Sequence, residues 1–304
     1  MVKIEKFRKL CKAIQYGGMI VIVAIGMFLV YWFGFRNSTD QMSMANSLSY
    51  MMITIMVLFI FMAFVTAPMQ NKLLKYIILE SLNGLVTDVT FNRKKGYSKE
   101  SFMKLNLAPD TFSQYGCSDY YSFKYKDMII ESTTSRAFDE IKVPKQKKKA
   151  GKKAVKAHKE SINYFYGRIY IIPISLNAKF NVYGKKNATV SKKKEMAEKE
   201  YNQEYVLKFK KHFENFEVYY KGEKPTINMQ AFIDKLYTLK LQAKGPVSAF
   251  VRKNSIVLCI DNGHYYAEVE TKNPINENLI RDYRKDVSMV LTFINSLLKE
   301  DVKA

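Results

Sequence analysis

Two long stretches near the N-terminus contain no charged residue, and they constrain the fold more than any other feature of the chain. They cover residues 19–35 and 51–69 and consist mainly of Met, Phe, Ile and Val. A helix of about 20 apolar residues crosses a bilayer core about 30 Å thick. We therefore predict a hairpin of two transmembrane helices, joined by the short polar segment 36–50.

Basic residues are concentrated before the first stretch and after the second, which lie on the same side of a membrane if both stretches cross it. The loop between them has Arg36 offset by Asp40, whereas the outer flanks carry Lys3, Lys6, Arg8, Lys9, Lys12, Lys72 and Lys75. Because Lys and Arg concentrate on the cytoplasmic side of membrane proteins, we expect a two-span protein of the cell membrane with both termini in the cytoplasm. A cleaved signal peptide is disfavoured, because the first stretch is long for one and a second follows at once. A buried helical hairpin in a soluble protein is disfavoured too, since both stretches are apolar on every face.

Charge and cysteine content restrict the remaining 235 residues. The whole chain has 49 Lys and Arg against 28 Asp and Glu, and residues 70–304 hold 43 of the basic and 26 of the acidic residues. This excess favours an anionic partner, of which the lipid headgroup surface is the nearest. Cys11, Cys117 and Cys259 are too few and too scattered for a disulfide framework, which agrees with a reducing compartment.

The first part of the cytoplasmic region mixes helices and strands. A helical stripe over 70–82 predicts that the second span continues to a stop near Asn83-Gly84. Alternation predicts a strand at 85–91, and Ser98 is a candidate N-cap of a short helix within 97–105. Aromatic and β-branched runs at 118–125 and 128–134, separated by Lys126-Asp127, predict a hairpin whose second strand continues to 143.

The second part repeats this mixture. Strands are predicted at 163–174, 216–220, 247–251, 255–260 and 265–269, with helical spacing at 191–205 and 207–213. Asn228 is expected to cap a helix to about 240 with Phe232, Ile233, Leu236 and Leu239 inward. A long helix from about Asn276 should bury Ile280, Tyr283, Val287, Val290, Leu291, Ile294, Leu297 and Leu298. Without strict βαβ alternation, these elements predict an α+β fold with a largely antiparallel sheet.

The predicted domains are a basic juxtamembrane segment (1–18), the transmembrane hairpin (19–69) and a cytoplasmic α+β domain (70–304). The last contains a lysine-rich loop at 144–160, because like charges this dense resist compaction. Eight lysines are candidate contacts to an anionic surface: Lys145, Lys147, Lys148, Lys149, Lys152, Lys153, Lys156 and Lys159. Three interpretations stay open, namely a solvated loop without a partner, contact with anionic lipid, and nonspecific nucleic-acid binding. The run has neither Arg nor aromatic residues for base contacts, so specific nucleic-acid binding is not expected.

No motif predicts catalytic, cofactor-binding or metal-binding residues. His158, His212 and His264 have no ligand spacing to each other, and the common glycine-rich phosphate-binding and serine-nucleophile motifs are absent. The cluster 261–264 (Asp-Asn-Gly-His) has the composition of a turn. Asp119 and Glu131 could face each other across the hairpin, but the simpler interpretation is surface charge.

The order of elements and several aromatic motifs resemble a known family. The motifs are SDYYSF at 118–123, FYGRIYIIP at 165–173, FENFEVYY at 213–220, and VSAFV and IVLCI at 247–251 and 256–260. They lie in four stretches, 119–141, 164–177, 213–240 and 247–298, which cover most of the cytoplasmic region. The chain thus resembles an uncharacterised bacterial family of membrane-anchored proteins, known only as a domain of unknown function. The resemblance implies two N-terminal spans, a cytoplasmic α+β domain and an inner-membrane location, and it assigns no functional residue. The lysine-rich loop departs from the family pattern.

From these observations we expect a membrane-anchored, noncatalytic protein whose basic cytoplasmic domain binds protein partners or anionic lipid. Two alternatives stay open. One is a membrane-bound enzyme whose site is assembled from scattered residues. The other is a subunit of a transport complex, which is disfavoured because the predicted spans contain no ionisable residue. A homo-oligomer is compatible with each of these functions.

Overall fold

The structure is a computed structural model, and it forms two compact units. The helical unit comprises residues 1–81 and 268–282, and the sheet unit comprises 82–267 and 283–304. Residues described below are 2–29, 31–32, 41–93, 95–143, 158–184, 206–207, 216–220, 225–263, 275 and 277–299.

Two long helices dominate the helical unit. Helix α1 (Val2–Leu29) carries the basic N-terminal segment and the first apolar stretch without a break. Helix α2 (Gln41–Leu82) continues through Pro68. It ends where the sequence predicts: the Leu82 carbonyl accepts hydrogen bonds from the N–H groups of Leu85 and Val86, and Gly84 has φ +75°. Glycine is favoured there because it adopts positive φ without a steric penalty.

The contacts between α1 and α2 show that the two helices run antiparallel. Near the start of α1, the Phe7 ring centroid lies 5.6 Å from that of Tyr76. Near its end, a Cβ on Gly26 would lie 3.2 Å from Cδ1 of Ile55, so a glycine allows the helices to approach closely at this point. A Cβ on Gly17 would meet nothing within 4 Å, which shows that this glycine is not needed for packing.

Among its described residues, the sheet unit contains one antiparallel sheet, two helices and the larger part of a third, whose residues 277–282 belong to the helical unit. The sheet order is β1-β2-β3-β4-β9-β8-β5-β7-β6, and every pairing is antiparallel. This confirms the α+β fold. The strands are β1 (Thr87–Asn92), β2 (Gln114–Tyr125), β3 (Met128–Val143), β4 (His158–Ile172), β5 (Phe180–Gly184), β6 (Val206–Leu207), β7 (Phe216–Tyr220), β8 (Val247–Arg252) and β9 (Ser255–Ile260). The helices are α3 (Lys99–Met103), α4 (Met229–Ala243) and α5 (Glu277–Leu298).

Helices α4 and α5 pack on one face of the sheet. The Phe232 ring of α4 lies 5.3 Å from Phe180 in β5 and 6.2 Å from Phe293 in α5. The Asn228 side chain caps α4 by accepting a hydrogen bond from the Ala231 N–H at 3.1 Å, as predicted. The predicted apolar stripes of both helices are buried, apart from Ile280 and Leu298, which are half-buried and exposed respectively.

Helix α3 covers part of the other face. Its N-cap is Ser98, whose hydroxyl accepts from the Ser101 N–H at 3.1 Å, again as predicted. The Phe102 ring is fully buried and lies 5.1 Å from Tyr115 and 5.5 Å from Phe165. A second core therefore lies on this face, built from the segment around α3 and the central strands.

The β2–β3 hairpin turns where the sequence predicts but contains an irregularity. Lys126 and Asp127 both have positive φ (47° and 62°), the conformation of a two-residue hairpin turn. The pairing shifts by one residue between Ser118 and Tyr121, which is a β-bulge. Asp119 lies in this bulge with φ +55°.

Three features differ from the sequence predictions. The loop predicted for 144–160 is wrong at 158–160, because these residues pair with 141–143 and extend the β3–β4 ladder to the end of β3. Strand β5 was not predicted, because a run of five residues gives only a weak strand signal. The helix predicted for 207–213 is wrong at Leu207, which pairs with Val218 as part of a sheet edge. Pairing with an existing strand outweighs the weak helical spacing of such a short run. Residues 208–213 and the segments predicted as a helix at 191–205 and a strand at 265–269 lie outside the described residues.

Candidate membrane anchor and candidate pocket

Helices α1 and α2 expose large apolar side chains along most of their length. Phe64 is 76 % exposed, Met52 66 % and Met27 64 %. Both helices are long and apolar enough to cross a membrane. Thr66 satisfies its hydroxyl within the helix by donating to the Met62 carbonyl at 2.9 Å. Soluble proteins rarely expose a continuous apolar surface of this extent, so it needs an apolar environment.

The apolar part of the pair matches a bilayer in length. No charged residue lies between Lys12 and Arg36, or between Asp40 and Lys72. At 1.5 Å per residue, about 20 helical residues reach about 30 Å, the thickness of a hydrocarbon core. Aromatic side chains mark both ends of the uncharged segment between Lys12 and Arg36, with exposed Tyr16 near its start and exposed Tyr31 and Trp32 near its end. Tyr and Trp are enriched at the two membrane–water interfaces.

The antiparallel packing brings lysines from both helices to the same end of this apolar part. The register set by the Phe7–Tyr76 and Gly26–Ile55 contacts puts Lys9 at about the level of Lys72, and Lys6 at about that of Lys75. We call these lysines, with two more from α1, the basic collar: Lys3, Lys6, Lys9, Lys12, Lys72 and Lys75. All are exposed except Lys12, which is half-buried.

Two collar lysines lie over aromatic rings. The Lys72 ammonium is 5.6 Å from the Phe7 ring centroid and 6.0 Å from that of Tyr76. The Lys12 ammonium is 5.6 Å from the Tyr16 ring centroid. Ring contacts of this kind attract the ammonium and limit where it can move.

Arg8 lies in the same stretch of α1 but does not join the collar. Its guanidinium is 5 % exposed and donates to the Glu5 carboxylate at 2.5 and 2.9 Å. The Glu5 carboxylate also accepts from the Ile275 N–H at 3.3 Å, within the helical unit. Arg8 and Glu5 therefore compensate each other, and the outward charge of the collar comes from its lysines.

A pocket of about 290 Å³ opens on the α3 face of the sheet unit. The segment leading into α3 forms one wall, with Lys95, Tyr97 and Ser98. Strands β2, β3 and β4 form the floor; their lining residues include Tyr120, Glu131, Thr133, Ile169 and Ile171. A Cβ on Gly96 would lie 2.5 Å from Sγ of Cys117, so this wall approaches the sheet closely.

Three polar groups in the pocket form a chain. The Lys95 ammonium donates to the Tyr120 hydroxyl at 2.9 Å, and that hydroxyl donates to the Glu131 carboxylate at 3.0 Å. The hydrogen bond with Tyr120 and the nearby Glu131 charge raise the pKa of Lys95. The ammonium also lies 4.0 Å from the Tyr120 ring centroid. The pocket thus presents one positive and one negative group beside an apolar floor.

On the opposite face, an arginine is buried beneath α5. Arg168 in β4 is 3 % exposed; its guanidinium carbon lies 4.9 Å from the Tyr121 ring centroid and its Nη1 donates to the Ser132 hydroxyl at 3.3 Å. Asp119 in the bulge is 2 % exposed, accepts from the Ser118 hydroxyl at 3.1 Å, and interacts electrostatically with Arg168. Burial raises the pKa of Asp119, while the Arg168 charge opposes this shift.

The interpretation as surface charge is wrong for Asp119, which is buried, whereas the Glu131 side chain is 38 % exposed. Ser132 contacts Arg168, and its neighbour Glu131 points to the opposite face because side chains alternate along a strand. The two carboxylates therefore do not face each other.

Of the eight lysines predicted to contact an anionic surface, the structure describes only Lys159. Its ammonium donates to the Glu140 carboxylate at 2.9 Å, and this bond lowers the pKa of Glu140. Lys145, Lys147, Lys148, Lys149, Lys152, Lys153 and Lys156 lie outside the described residues, as do His212, His264 and the side chain of His158.

Asp261 has the structural role that its turn composition predicts. It is 5 % exposed, and its carboxylate accepts from the Tyr166 N–H at 3.0 Å. The Gly263 N–H in turn donates to the Tyr166 carbonyl at 2.9 Å. In the part of the chain that the structure describes, no group of three His, Cys, Asp or Glu residues is arranged to hold a metal ion.

Comparison with known proteins adds no assignment. No family model, curated protein or solved structure matches this chain. Its function is therefore inferred from geometry and chemistry alone.

Sequence reasoning missed both polar groupings of the sheet unit. An arginine within the apolar run 163–174 is the one signal that could have indicated a buried ion pair. Lys95 and Tyr120 carry no local signal, because the pocket exists only where separate strands and the wall before α3 meet.

Proposed function

We propose that this chain is a bacterial membrane protein of two spans, whose cytoplasmic sheet unit acts as a noncatalytic binding domain for protein partners or anionic lipid. The observation that carries the proposal is the hairpin of α1 and α2. It exposes apolar side chains over the length of a bilayer core and ends in lysines on one side only. Because basic residues favour the cytoplasmic side, the collar end, and with it both chain termini, faces the cytoplasm.

Alkaline carbonate extraction of membranes tests the anchor. The wild-type chain should stay in the membrane pellet. Arginines at exposed positions in the middle of α2, Val57→Arg with Ile60→Arg, should release a large fraction, since each costs about 2.5–3.5 kcal/mol at a span centre. Val57 is 57 % exposed and Ile60 51 %.

A matched control places arginines at exposed apolar positions of the sheet unit. Leu241 is 60 % exposed and Ile129 64 %, so Leu241→Arg with Ile129→Arg adds the same charge to a similar surface. This variant should stay in the pellet. A wild-type chain that carbonate strips from the membrane contradicts the anchor, and so does equal release of both variants.

Reporter fusions test the orientation. A fluorescent protein that folds only in the cytoplasm should be active after Ala304, and a phosphatase active only in the periplasm should be inactive there. The reverse pattern contradicts the proposed topology without affecting the anchor.

The pocket supports a second candidate, a membrane-bound enzyme or receptor for a small molecule. Its polar groups come from separate segments of the chain, as such a site requires, and include one acid and one ammonium. A thermal-shift screen of the full chain against small metabolites tests it, with Tyr120→Phe as the variant that breaks the Lys95–Tyr120–Glu131 chain. A compound that stabilises the wild type and not this variant would favour the second candidate.

A further inference from the structure

The basic collar combines several properties that point to one class of partner. Its lysines come from both helices, so they form a cluster only because α1 and α2 pack antiparallel. Residues 2–16 and 70–82 together carry seven basic and two acidic residues, and one of the acidic residues, Glu5, is bonded to Arg8. The cluster therefore keeps a clear positive excess after its internal pair is counted.

The depth of the collar matches lipid headgroups. Lys12 directly precedes the uncharged part of α1, and Lys72 follows that of α2 after only two polar residues. If hydrocarbon surrounds the uncharged part, the ammonium groups lie in the headgroup layer, which is where lysine side chains extend from spanning helices.

Lys72 is the best-positioned member of the cluster. Its ammonium lies within 6.0 Å of two ring centroids, Phe7 from α1 and Tyr76 from α2. Holding a lysine in place before it binds lowers the entropy lost on contact with an anion. An ammonium has three N–H donors, so one that lies beside aromatic rings can still donate to an anion in the headgroup layer.

We propose that the basic collar is a binding site for anionic phospholipids of the leaflet on its side, with Lys72 as its central contact to the headgroup phosphate. This inference rests on the proposed membrane anchor and goes beyond it, because an anchor alone needs no preference among lipids. It also adds a second candidate lipid contact, at the membrane-proximal lysines of α1 and α2, to the one predicted for the lysine-rich loop.

The test uses the full chain in nanodiscs that contain phosphatidylcholine with increasing phosphatidylglycerol. Lipids that remain bound after transfer to detergent are identified by native mass spectrometry. We expect the wild type to retain phosphatidylglycerol in preference to phosphatidylcholine, and to lose this preference as salt rises, because salt screens exposed charges. Lys72→Gln with Lys75→Gln should lower the preference about fivefold for each lysine that contacts the headgroups.

A matched control removes the same number of positive charges at positions that are distant from the basic collar along the chain. Lys104 and Lys179 are exposed lysines of the sheet unit, and Lys104→Gln with Lys179→Gln should leave the preference unchanged. Lys72→Arg should keep most of it, because the charge and the ring contacts remain. Wild type without any preference for the anionic lipid would overturn the inference, whatever the variants do. An equal loss in the collar and control variants would overturn it as well, since net charge alone would then explain the binding.

Carbonate extraction of membranes that contain the same chain separates this inference from the proposed function. A chain that stays in the pellet but shows no lipid preference refutes the collar site and leaves the anchor standing. A chain that carbonate removes refutes both.

Discussion

Arg168 offers the sharpest test of how the sheet unit is held together. Its guanidinium is almost completely buried, and it interacts electrostatically with the buried carboxylate of Asp119 and with Asp286 of α5. We consider Arg168→Met, which keeps much of the side-chain length and removes the charge. The variant leaves Asp119 in the interior, where its remaining cation is Arg93, 4.0 Å away on a side chain that is 38 % exposed.

The expected loss follows from that burial. Removing one partner of a buried ion pair costs about 3–5 kcal/mol when the other charge stays without compensation, and the partly exposed Arg93 compensates Asp119 only in part. Domains are stable by only about 5–15 kcal/mol, so the variant should lose a large part of its free energy of unfolding. For a unit of this size the midpoint of thermal unfolding should fall by about 6–20 °C.

Near-ultraviolet circular dichroism of the full chain in detergent measures the effect, because the buried tyrosines of the sheet unit report on its packing. Adding Asp119→Asn to Arg168→Met should recover about half of the loss or more, since position 119 then carries no uncompensated buried charge. Lys179→Met, at an exposed lysine, is the control for removing a cation and should change the midpoint little.

The pH dependence of the free energy of unfolding gives an independent test. Without Arg168, the larger of the two cationic effects that lower the pKa of Asp119 is gone and that of Arg93 remains, so burial raises this pKa further. A raised pKa in the folded state means that the folded chain binds a proton more tightly than the unfolded chain does. The deficit of Arg168→Met should therefore shrink as pH falls from neutral toward the ordinary value of 3.8. A loss below about 1 kcal/mol, or a double variant no more stable than the single one, would refute the account of a paired interior charge.

Three further predictions concern packing and titration. Gly26→Leu should weaken the α1–α2 contact by about 1–3 kcal/mol, because a Cβ at this position lies 3.2 Å from an α2 side chain. Gly17→Leu is the control and should not weaken the contact, because a Cβ there meets nothing within 4 Å. The rate of disulfide crosslinking between the two helices measures both effects. Gly167→Ala should destabilise the sheet unit by about 3 kcal/mol, since its Cβ would lie 1.8 Å from a β9 carbonyl oxygen. A Cβ at Gly116 meets nothing within 4 Å, so Gly116→Ala should cost little beyond the change in strand propensity. Urea unfolding measures the free energy of unfolding of both variants. Burial raises the pKa of Tyr97 from 10.0 to about 12, so this tyrosine ionises at lower pH in the unfolded chain than in the folded chain. The free energy of unfolding should therefore fall as pH rises through this range. Tyrosinate absorbance that appears fully by pH 10.5 would contradict this prediction.

Much of the local structure could be predicted from sequence because short-range rules decide it. Ser98 and Asn228 cap helices in the structure as their positions suggest, since each side chain accepts a hydrogen bond from an N–H three residues ahead. The Lys126-Asp127 turn and the end of α2 before Gly84 follow from the few conformations that such residues adopt. The apolar stripe of α5 was readable because helical spacing fixes which residues share a face.

The groupings that could carry function were not readable in the same way. Strand alternation fixes the face on which Arg168 or Glu131 lies, but not which residue of another strand lies beside it. The bulge at Asp119 adds to the difficulty, because one extra residue reverses the faces that simple alternation would assign.

The sequence by itself determined that two uncharged stretches need an apolar environment, that basic residues flank them, and that an α+β domain follows. These are properties of residue type and spacing along one chain. Only the tertiary structure decided that lysines of α1 and α2 form one collar, that Asp119 and Arg168 share an interior, and that Lys95, Tyr120 and Glu131 line one pocket. Each of these depends on how segments distant in sequence pack together, and packing is set by the shape and burial of the whole unit.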